Sequence, residues 1–567
     1  MYSSIDTMWI LLGAGLVFFM QAGFAMLEAG FTRAKNAGNI IMKNIMDLSI
    51  GAIVFLFLGF GLMYGEGNGF IGWIDIFAKK DYSGLIPNNV PAMAFLVFQM
   101  VFCATAATIV SGAMAERTKF MSYCLYSIVV SAFIFPIAGH WIWGNGWLEQ
   151  MGFIDFSGST AVHLIGGTAA LVGAKIVGPR TGKYGENGKI KVIPGHNIII
   201  SALGIFILWF GWFGFNGCST LSMEGNKMLL AASVILNTMV CAASSTVAAM
   251  LITKVRYKKV DITMTLNGSL AGLVSITAGC SSVSVEGAMV IGICASFVMI
   301  FAIEFIDKIL KVDDPVGAIG VHGCCGALGT IMVGFLSTEN GFFYTGNVEQ
   351  LLIQCLGVIS VFAWTVVTAF IAFVAIDKTV GIRVDREEEI NGLDSAEHGL
   401  INAYADFLPY GLFGTSEQKR VQAAEEENVT VEEAVPVDMS HMTDIPGRKK
   451  MTKIDILMKQ EKFAALKNAM NEIGVEGMTV IQVLGCGTQK GYTEYIRGVE
   501  VEMQLLPKVQ VQMVVSKVPV EKIIDVARKV LYTGHIGDGK IFVYPVEDVV
   551  KVRTGERGYD ALQGIDE

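Results

Sequence analysis

Charge is what this sequence has least of. Asp, Glu, Lys and Arg make up 16% of its 567 residues, against roughly 25% in an ordinary soluble domain. Hydrophobic residues make up 53%, and the mean hydropathy is +0.54. A soluble multi-domain enzyme of this length is excluded by that balance, and so is a disordered or collagen-like chain. A basic excess is missing too: the formal net charge is -9, which argues against nucleic acid as a partner. The ten cysteines form no Cys-x-x-Cys pair, no zinc spacing and no haem-attachment motif. Most lie in apolar stretches, where a buried, inert thiol is expected. No Lys or Arg precedes Arg33, so the first apolar run lacks the basic start of a secretory signal and is expected to be retained.

What is present divides the chain in two. All eight Trp fall between Trp9 and Trp364, whereas residues 451–567 hold 15 Lys/Arg and 16 Asp/Glu, a soluble-domain composition. Roughly 20 apolar residues span a bilayer. Eleven such runs are read, at about 8–30, 46–65, 93–114, 121–141, 158–178, 195–217, 228–252, 263–281, 286–307, 316–337 and 350–377. Alternate loops differ in basic residues. One set carries Arg33, Lys35, Lys43, Arg117, Lys119, Arg180, Lys183, Lys254, Arg256 and further lysines; the other carries only Lys79, Lys80 and Lys227. The basic set is expected in the cytoplasm. An odd number of spans then puts the N-terminus outside and the soluble tail inside, in a multi-pass protein of the cytoplasmic membrane.

Ionisable side chains inside spans are costly and usually functional. Asp155 begins Asp155-Phe-Ser-Gly-Ser-Thr-Ala-Val-His163, and His322 lies in Val321-His-Gly-Cys-Cys-Gly326. The two histidines sit at matching depth in the fifth and tenth runs, the pattern of two five-helix halves of inverted topology with one shared midplane site. Each His satisfying a local carbonyl, or the pair holding a haem, are the other readings. Aromatics form a second constellation: Phe102, His140-Trp-Ile-Trp-Gly-Asn-Gly-Trp147 and Phe210-Gly-Trp-Phe-Gly-Phe-Asn216. Interface belts also use Trp, but an aromatic cage beside neutral imidazoles suits a small cation that can lose a proton. Sodium and potassium want rings of oxygen instead.

These motifs, with Gly112-Ala-Met-Ala-Glu-Arg117 and Val312-Asp-Asp-Pro315, resemble the ammonium transporter (Amt/MEP/Rh) family over residues 1–410. The resemblance implies an eleven-helix subunit, a homotrimer in the lipid bilayer and one ammonium pore per subunit. Phe102, Trp143 and Ser219 would form the external ammonium site, with Asp155 supporting it from behind. Phe102 and Phe215 would stack as the gate, and His163 and His322 would line the pore below. Losing its proton at the gate spares the cation a desolvation of many kcal/mol, and an imidazole pair can pass that proton. One departure is Gly317, where the family often has an acidic residue. Asn391-Gly-Leu-Asp394 and His398-Gly-Leu-Ile-Asn-Ala-Tyr404 resemble the family's cytoplasmic C-terminal region, implied to dock on a neighbouring subunit.

Residues 411–450 lose periodicity and carry Glu425-Glu-Glu427 and Arg448-Lys-Lys450, as a flexible acidic linker would. From 451 onwards the pattern is βαββαβ, an α+β, ferredoxin-like domain to residue 567: strands at 453–457, 478–484, 509–515 and 541–544, helices at 459–471 and 521–531, and a long loop over 485–507. Gly534-His-Ile-Gly-Asp-Gly-Lys540 can cradle phosphate or serve as a bare turn. With Gly485-Cys-Gly-Thr-Gln-Lys-Gly491, Glu494-Tyr-Ile-Arg-Gly498, Leu505-Leu-Pro-Lys508 and Val552-Arg-Thr-Gly-Glu556, this part resembles the PII signal-transduction family. That implies ATP or ADP held by Thr479, Gly487, Gly537, Gly539, Lys540 and Arg553. It also implies 2-oxoglutarate with Mg beside ATP, touched by Gln489 and Lys508. Arg497 would head the loop that plugs the transporter. Val501 stands where some relatives carry a uridylylated tyrosine, Ile496 where tyrosine is common, and Lys551 where arginine is.

The expectation is thus an ammonium transporter fused to its own PII regulator, sharing one threefold axis. A sensor signalling through the PII part is the alternative, and an ammonia or carbon dioxide gas channel a weaker one. No nucleophile–base pair or metal set suggests an enzyme.

Overall fold

The computed structural model describes residues 2–562 except 85, 88, 186–189, 401–402, 405–450, 476, 486–492, 497–498, 503–505, 535–537 and 553–554. The expected linker over 411–450 therefore lies outside the described residues. The chain divides into two units, Met1–Ala403 and Tyr404–Glu567.

The first unit is helical. Ten of its described helices are long and apolar enough to cross a membrane: α1 Ser4–Phe31, α2 Ala34–Tyr64, α3 Ala92–Ala113, α4 Phe120–Gln150, α5 Ser159–Val177, α6 Ile198–Thr220, α7 Asn226–Tyr257, α9 Val285–Lys308, α10 Ile319–Leu336 and α11 Glu349–Thr379. The eighth predicted run, 263–281, yields the shorter α8, Ile262–Ile276. Its helix stops because the chain turns over Thr277–Ser282, where the carbonyls of Thr277 and Ala278 accept from the amides of Ser157 and Phe156 at 3.1 Å each. Non-helical backbone at membrane depth is tolerated where protein buries and pairs it. The second run starts earlier than expected, so Lys43, placed by the sequence in a basic loop, is instead fully buried within α2.

After α11 two short helices, α12 Arg386–Asn391 and α13 Leu393–His398, fold back on the connections of their own chain. Asp394 accepts from the amides of Gly38 (3.0 Å) and Asn39 (2.8 Å) near the start of α2, where free N–H groups favour a carboxylate. Leu393 N donates to Asn36 Oδ1 at 2.9 Å, and Arg383 joins the carbonyl of Val177 to the Glu389 carboxylate. The Arg180 guanidinium grips Asp313 through two bonds, Nε–Oδ2 at 2.8 Å and a terminal nitrogen to Oδ1 at 2.9 Å, and the Arg180 amide adds a third at 2.9 Å.

The second unit contains β1 Thr452–Met458, α14 Phe463–Glu472, β2 Thr479–Gly485, β3 Thr493–Ile496, β4 Val499–Glu502, β5 Leu506–Val515, α15 Val520–Leu531 and β6 Lys540–Pro545. The main sheet is antiparallel in the order β2-β5-β1-β6. Alternate β1 residues Ile454, Ile456 and Met458 pack with Val511 and Met513 of β5 against Leu466, Met470, Ile523 and Ala527 of the helices. The four expected strands and both helices are present. The loop expected over 485–507 is not wholly irregular, since β3 and β4 pair as a hairpin, Ile496 opposite Val499 and Glu494 opposite Val501. Cross-strand pairing does not need the apolar stripe whose absence suggested a loop.

Candidate functional site

The fold repeats one local device. Asp155 accepts from the amides of Gly158 (3.0 Å), Thr160 (2.8 Å) and Ala161 (2.8 Å). Asp314 accepts from Gly317 (2.9 Å) and Ile319 (2.8 Å), at the same offsets of three and five residues. Gly158 and Gly317 both take positive φ, 110° and 81°, which lets the chain enter each helix sharply. Each helix then opens with a widened π-turn, Ser159–Leu164 and Ile319–Cys324, a feature frequent at functional positions. Eight residues past each aspartate stands a histidine. The widened turns tip His163 and His322 toward each other, with their Nδ1 atoms 3.2 Å apart. The helices come this close because residue 167 has no side chain: a Cβ there would collide with the backbone of Gly323. Gly326 likewise sits against Leu164 N and Ser159 O.

Above the histidines a third π-turn, Phe213–Gly217 at the end of α6, carries Phe215. The rings form a file. Trp143 meets Phe102 edge-on at 6.2 Å between centroids, Phe102 stacks on Phe215 at 4.2 Å, Phe215 lies 5.5 Å from His163, and His163 lies 5.2 Å from His322. Trp143 and Ser219 are partly exposed, while Phe102, Phe215 and both histidines are buried. Trp143 is oriented by its Nε1–H, which donates to the carbonyl of Asp155 at 2.7 Å. The Ser219 hydroxyl donates to the carbonyl of Phe215 at 2.7 Å, leaving its oxygen lone pairs as acceptors. Asp155 thus acts on the site through backbone, holding both Trp143 and the turn that carries His163.

Such a file does two things chemically. Its outer rings offer π faces to a cation. Its inner part offers only imidazole nitrogen, with His163 Nε2 buried and free of a hydrogen-bond partner.

A match to the model of the Ammonium Transporter Family runs over residues 8–403, most of the chain. The chain belongs to the ammonium transporter family. Residues 451–556 match Nitrogen regulatory protein P-II, so this transporter carries a fused P-II domain. It is 44% identical over 429 residues to "Ammonium transporter Amt2" of Archaeoglobus fulgidus, covering 71% of this chain and 89% of that one. It is 35% identical over 410 residues to "Ammonium transporter 3" of Dictyostelium discoideum, covering 70% and 93%. Among solved structures, "Sensor Amt Protein" superposes with a TM-score of 0.66 at 42% identity, covering 70% of this chain and 98% of that one. Mep2 of Candida albicans gives 0.62 at 28%, covering 68% and 88%.

In this multi-pass transporter all seven residues anticipated for the pore lie along or beside the ring file. The anticipation omitted Trp212, which stacks on His163 at 5.2 Å and donates to Thr277 Oγ1 at 3.0 Å, although its motif had been noticed. It also omitted Phe24, 6.0 Å from His322, and Glu28. The signal for Glu28 was present, as an ionisable residue inside the first apolar run. Gly317 serves the turn that Asp314 caps.

In the P-II domain, Gly487, Gln489, Arg497, Gly537 and Arg553 lie outside the described residues. Of the others, Thr479 is on β2 opposite Gln512, Lys508 on β5 opposite Val483, and Lys540 on β6 opposite Leu457. Thr479 and Lys540 therefore stand on opposite edges of the sheet, three strand spacings or roughly 14 Å apart across it and offset by two residues along the strands. The turn before Lys540 is closed by Asp538, which accepts from the amide of Thr533 at 2.7 Å and from its hydroxyl.

Proposed function

We propose that this chain conducts ammonium across the cytoplasmic membrane and that its P-II domain gates the passage. The observation that carries the reading is the unbroken file Trp143–Phe102–Phe215–His163–His322. Ammonium is recruited where Trp143 and Phe102 present π faces and Ser219 an acceptor. Phe102 and Phe215, stacked, stop a hydrated ion. Beyond them only the imidazoles remain, so nitrogen crosses as neutral ammonia while the proton travels by the histidine pair. The near-identical capping of Asp155 and Asp314 supports two inverted halves, with α8 as one of eleven spans, the N-terminus outside and the tail in the cytoplasm.

For the P-II part the reading is a ferredoxin-like domain whose strand order matches that class. At Gly539, φ is 127° and a Cβ would collide with the carbonyl of Leu457, so only glycine lets the chain turn this close to β1; Lys540 follows directly, with an exposed ammonium suited to a polyphosphate ligand. ATP or ADP, and 2-oxoglutarate with Mg, are the ligands this reading assigns to the domain. Thr479 and Lys540 stand on opposite sheet edges, so a cleft that uses both would be closed between copies, in keeping with the homotrimer the family resemblance implies. ADP favours docking of the Arg497 loop and a closed pore; ATP with 2-oxoglutarate releases it. The test is ammonium current in proteoliposomes with either nucleotide state on the P-II side. A current in neither state refutes conduction, and equal currents refute gating.

A second reading is a sensor, favoured by the likeness to the solved "Sensor Amt Protein". Its mark would be a silent pore together with ammonium-dependent changes in the P-II domain.

A further inference from the structure

Beyond His322, at the end of the ring file away from Trp143, lies a cavity lined by Phe24, Glu28, Asn267, Val316 and His322 among others. Its space for the centre of a water-sized molecule is about 10 Å³, room for one molecule of the size of water or ammonia. Glu28 lies one turn past Phe24 on α1 and is 2% exposed. Its carboxyl accepts from Asn44 Nδ2 at 3.1 Å. Beside Asn44 on α2 stand Lys43 and Asp47, both 0% exposed. Asp47 accepts from the hydroxyls of Tyr123, at 2.8 Å, and Ser127. The Lys43 ammonium has no hydrogen-bond partner and lies 5.4 Å from the centroid of the Tyr123 ring. Gln21 Nε2 and Asn44 Oδ1 are also buried without partners.

Packing alone does not account for this cluster. Each unpaired polar group in an apolar bundle costs several kcal/mol, and apolar residues of similar size fill such space at no such cost. Intramembrane carboxyls that reach a cavity are the usual parts of proton relays. The ring file delivers neutral ammonia and a separate proton to this end, and something there has to reunite them.

We propose that Glu28 is the proton-exchange group at the inner end of the pore, an inference that rests on the conduction reading above. The protonated carboxyl gives its proton to ammonia that has passed His322. The O–H bond breaks, an N–H bond forms, and ammonium departs. The carboxylate then takes up the proton that His163 and His322 have passed from the ammonium that entered. One ammonium enters and one leaves, and no other reactant is needed. Asn44 holds the carboxyl in place, and Lys43 offsets its charge while it is ionised.

The test is ammonium current in proteoliposomes of the full chain, per mole of folded protein, for wild type, Glu28→Gln and Glu28→Asp. Glu28→Gln keeps the shape and removes the exchangeable acid. The expected result is a maximum current at least tenfold lower with the half-saturating ammonium concentration within twofold, because recruitment occurs at the other end. Glu28→Asp is expected to retain current with a shifted pH profile, which a structural role would not produce. A Glu28→Gln current within twofold of wild type overturns the proposal, as does loss accompanied by a changed half-saturation. If Glu28→Gln fails to fold, an unshifted pH profile in Glu28→Asp overturns it. A silent wild type removes the conduction reading itself, a result distinct from all of these.

Discussion

The Nδ1 atoms of His163 and His322 face each other across 3.2 Å. One ring must donate and the other accept, so the neutral pair holds a single proton between its two facing nitrogens. Replacing either by Leu keeps the apolar bore but removes the relay. Groups that transfer protons contribute about 10²–10⁴-fold. Either His→Leu variant is therefore expected to lower ammonium current at least 100-fold, with the protein still folded by size-exclusion chromatography. Wild-type current in either variant would show that the proton takes another route.

The ring file depends on close approach of α5 and α10. A Cβ at residue 167 meets the backbone of Gly323, which cannot swing aside as a side chain end could. Overpacking of this kind costs about 1–3 kcal/mol. Gly167→Ala is expected to lower the melting temperature in detergent and reduce current. Gly15→Ala, in α1 with nothing within 4 Å of the new methyl, serves as the neutral control. Equal melting temperatures for the two variants would mean that the helices separate without penalty.

The residues of the ring file were more legible in the sequence than the helix boundaries were. His163, His322 and Asp155 stood out because ionisable groups in apolar runs are rare, and the structure brings the histidines into contact. Lys43 was misread for a related reason. Charge suggests a loop, but α2 begins before its apolar run does, and the helix interior that buries Lys43 is supplied by α1, α3 and α4. Only tertiary packing pairs Glu28 with Asn44, sixteen residues away. In the P-II domain the four strands were legible from alternation, while the β3–β4 hairpin was hidden because its register is set by backbone pairing.

Docking of α13 depends on pH through His398. Asn39 Nδ2 donates to its Nε2 at 3.0 Å, which requires the neutral ring. Burial holds the imidazole below its ordinary value, against the opposing pull of Glu397 and Asp394. A histidine lowered by folding contributes stability that is present above its unfolded pKa, about 6.5, and is lost as pH falls toward the folded value. Hydrogen-exchange protection factors of residues 386–398, the intrinsic rate at each pH divided by the observed one, are expected to fall between pH 7.5 and 5.5. His398→Gln should flatten that dependence. An unchanged slope in the variant would assign it elsewhere.

Lys540 offers a last test, of the nucleotide reading. A ligand that binds only the folded domain stabilises it by RT ln(1 + [L]/Kd), about 2.7 kcal/mol at 100 times Kd. Removing one phosphate-facing ammonium is expected to weaken ATP at least tenfold, which leaves about 1.4 kcal/mol at the same concentration. Thermal unfolding of full-length Lys540→Ala should therefore show roughly half the ATP-dependent stabilisation of wild type, with the ATP-free midpoint unchanged because Lys540 sits exposed at a strand start. Weaker nucleotide binding at Lys540 is then expected to move the ATP concentration that relieves inhibition upward by the same factor. A shift in stabilisation without a shift in current would uncouple the P-II domain from the gate.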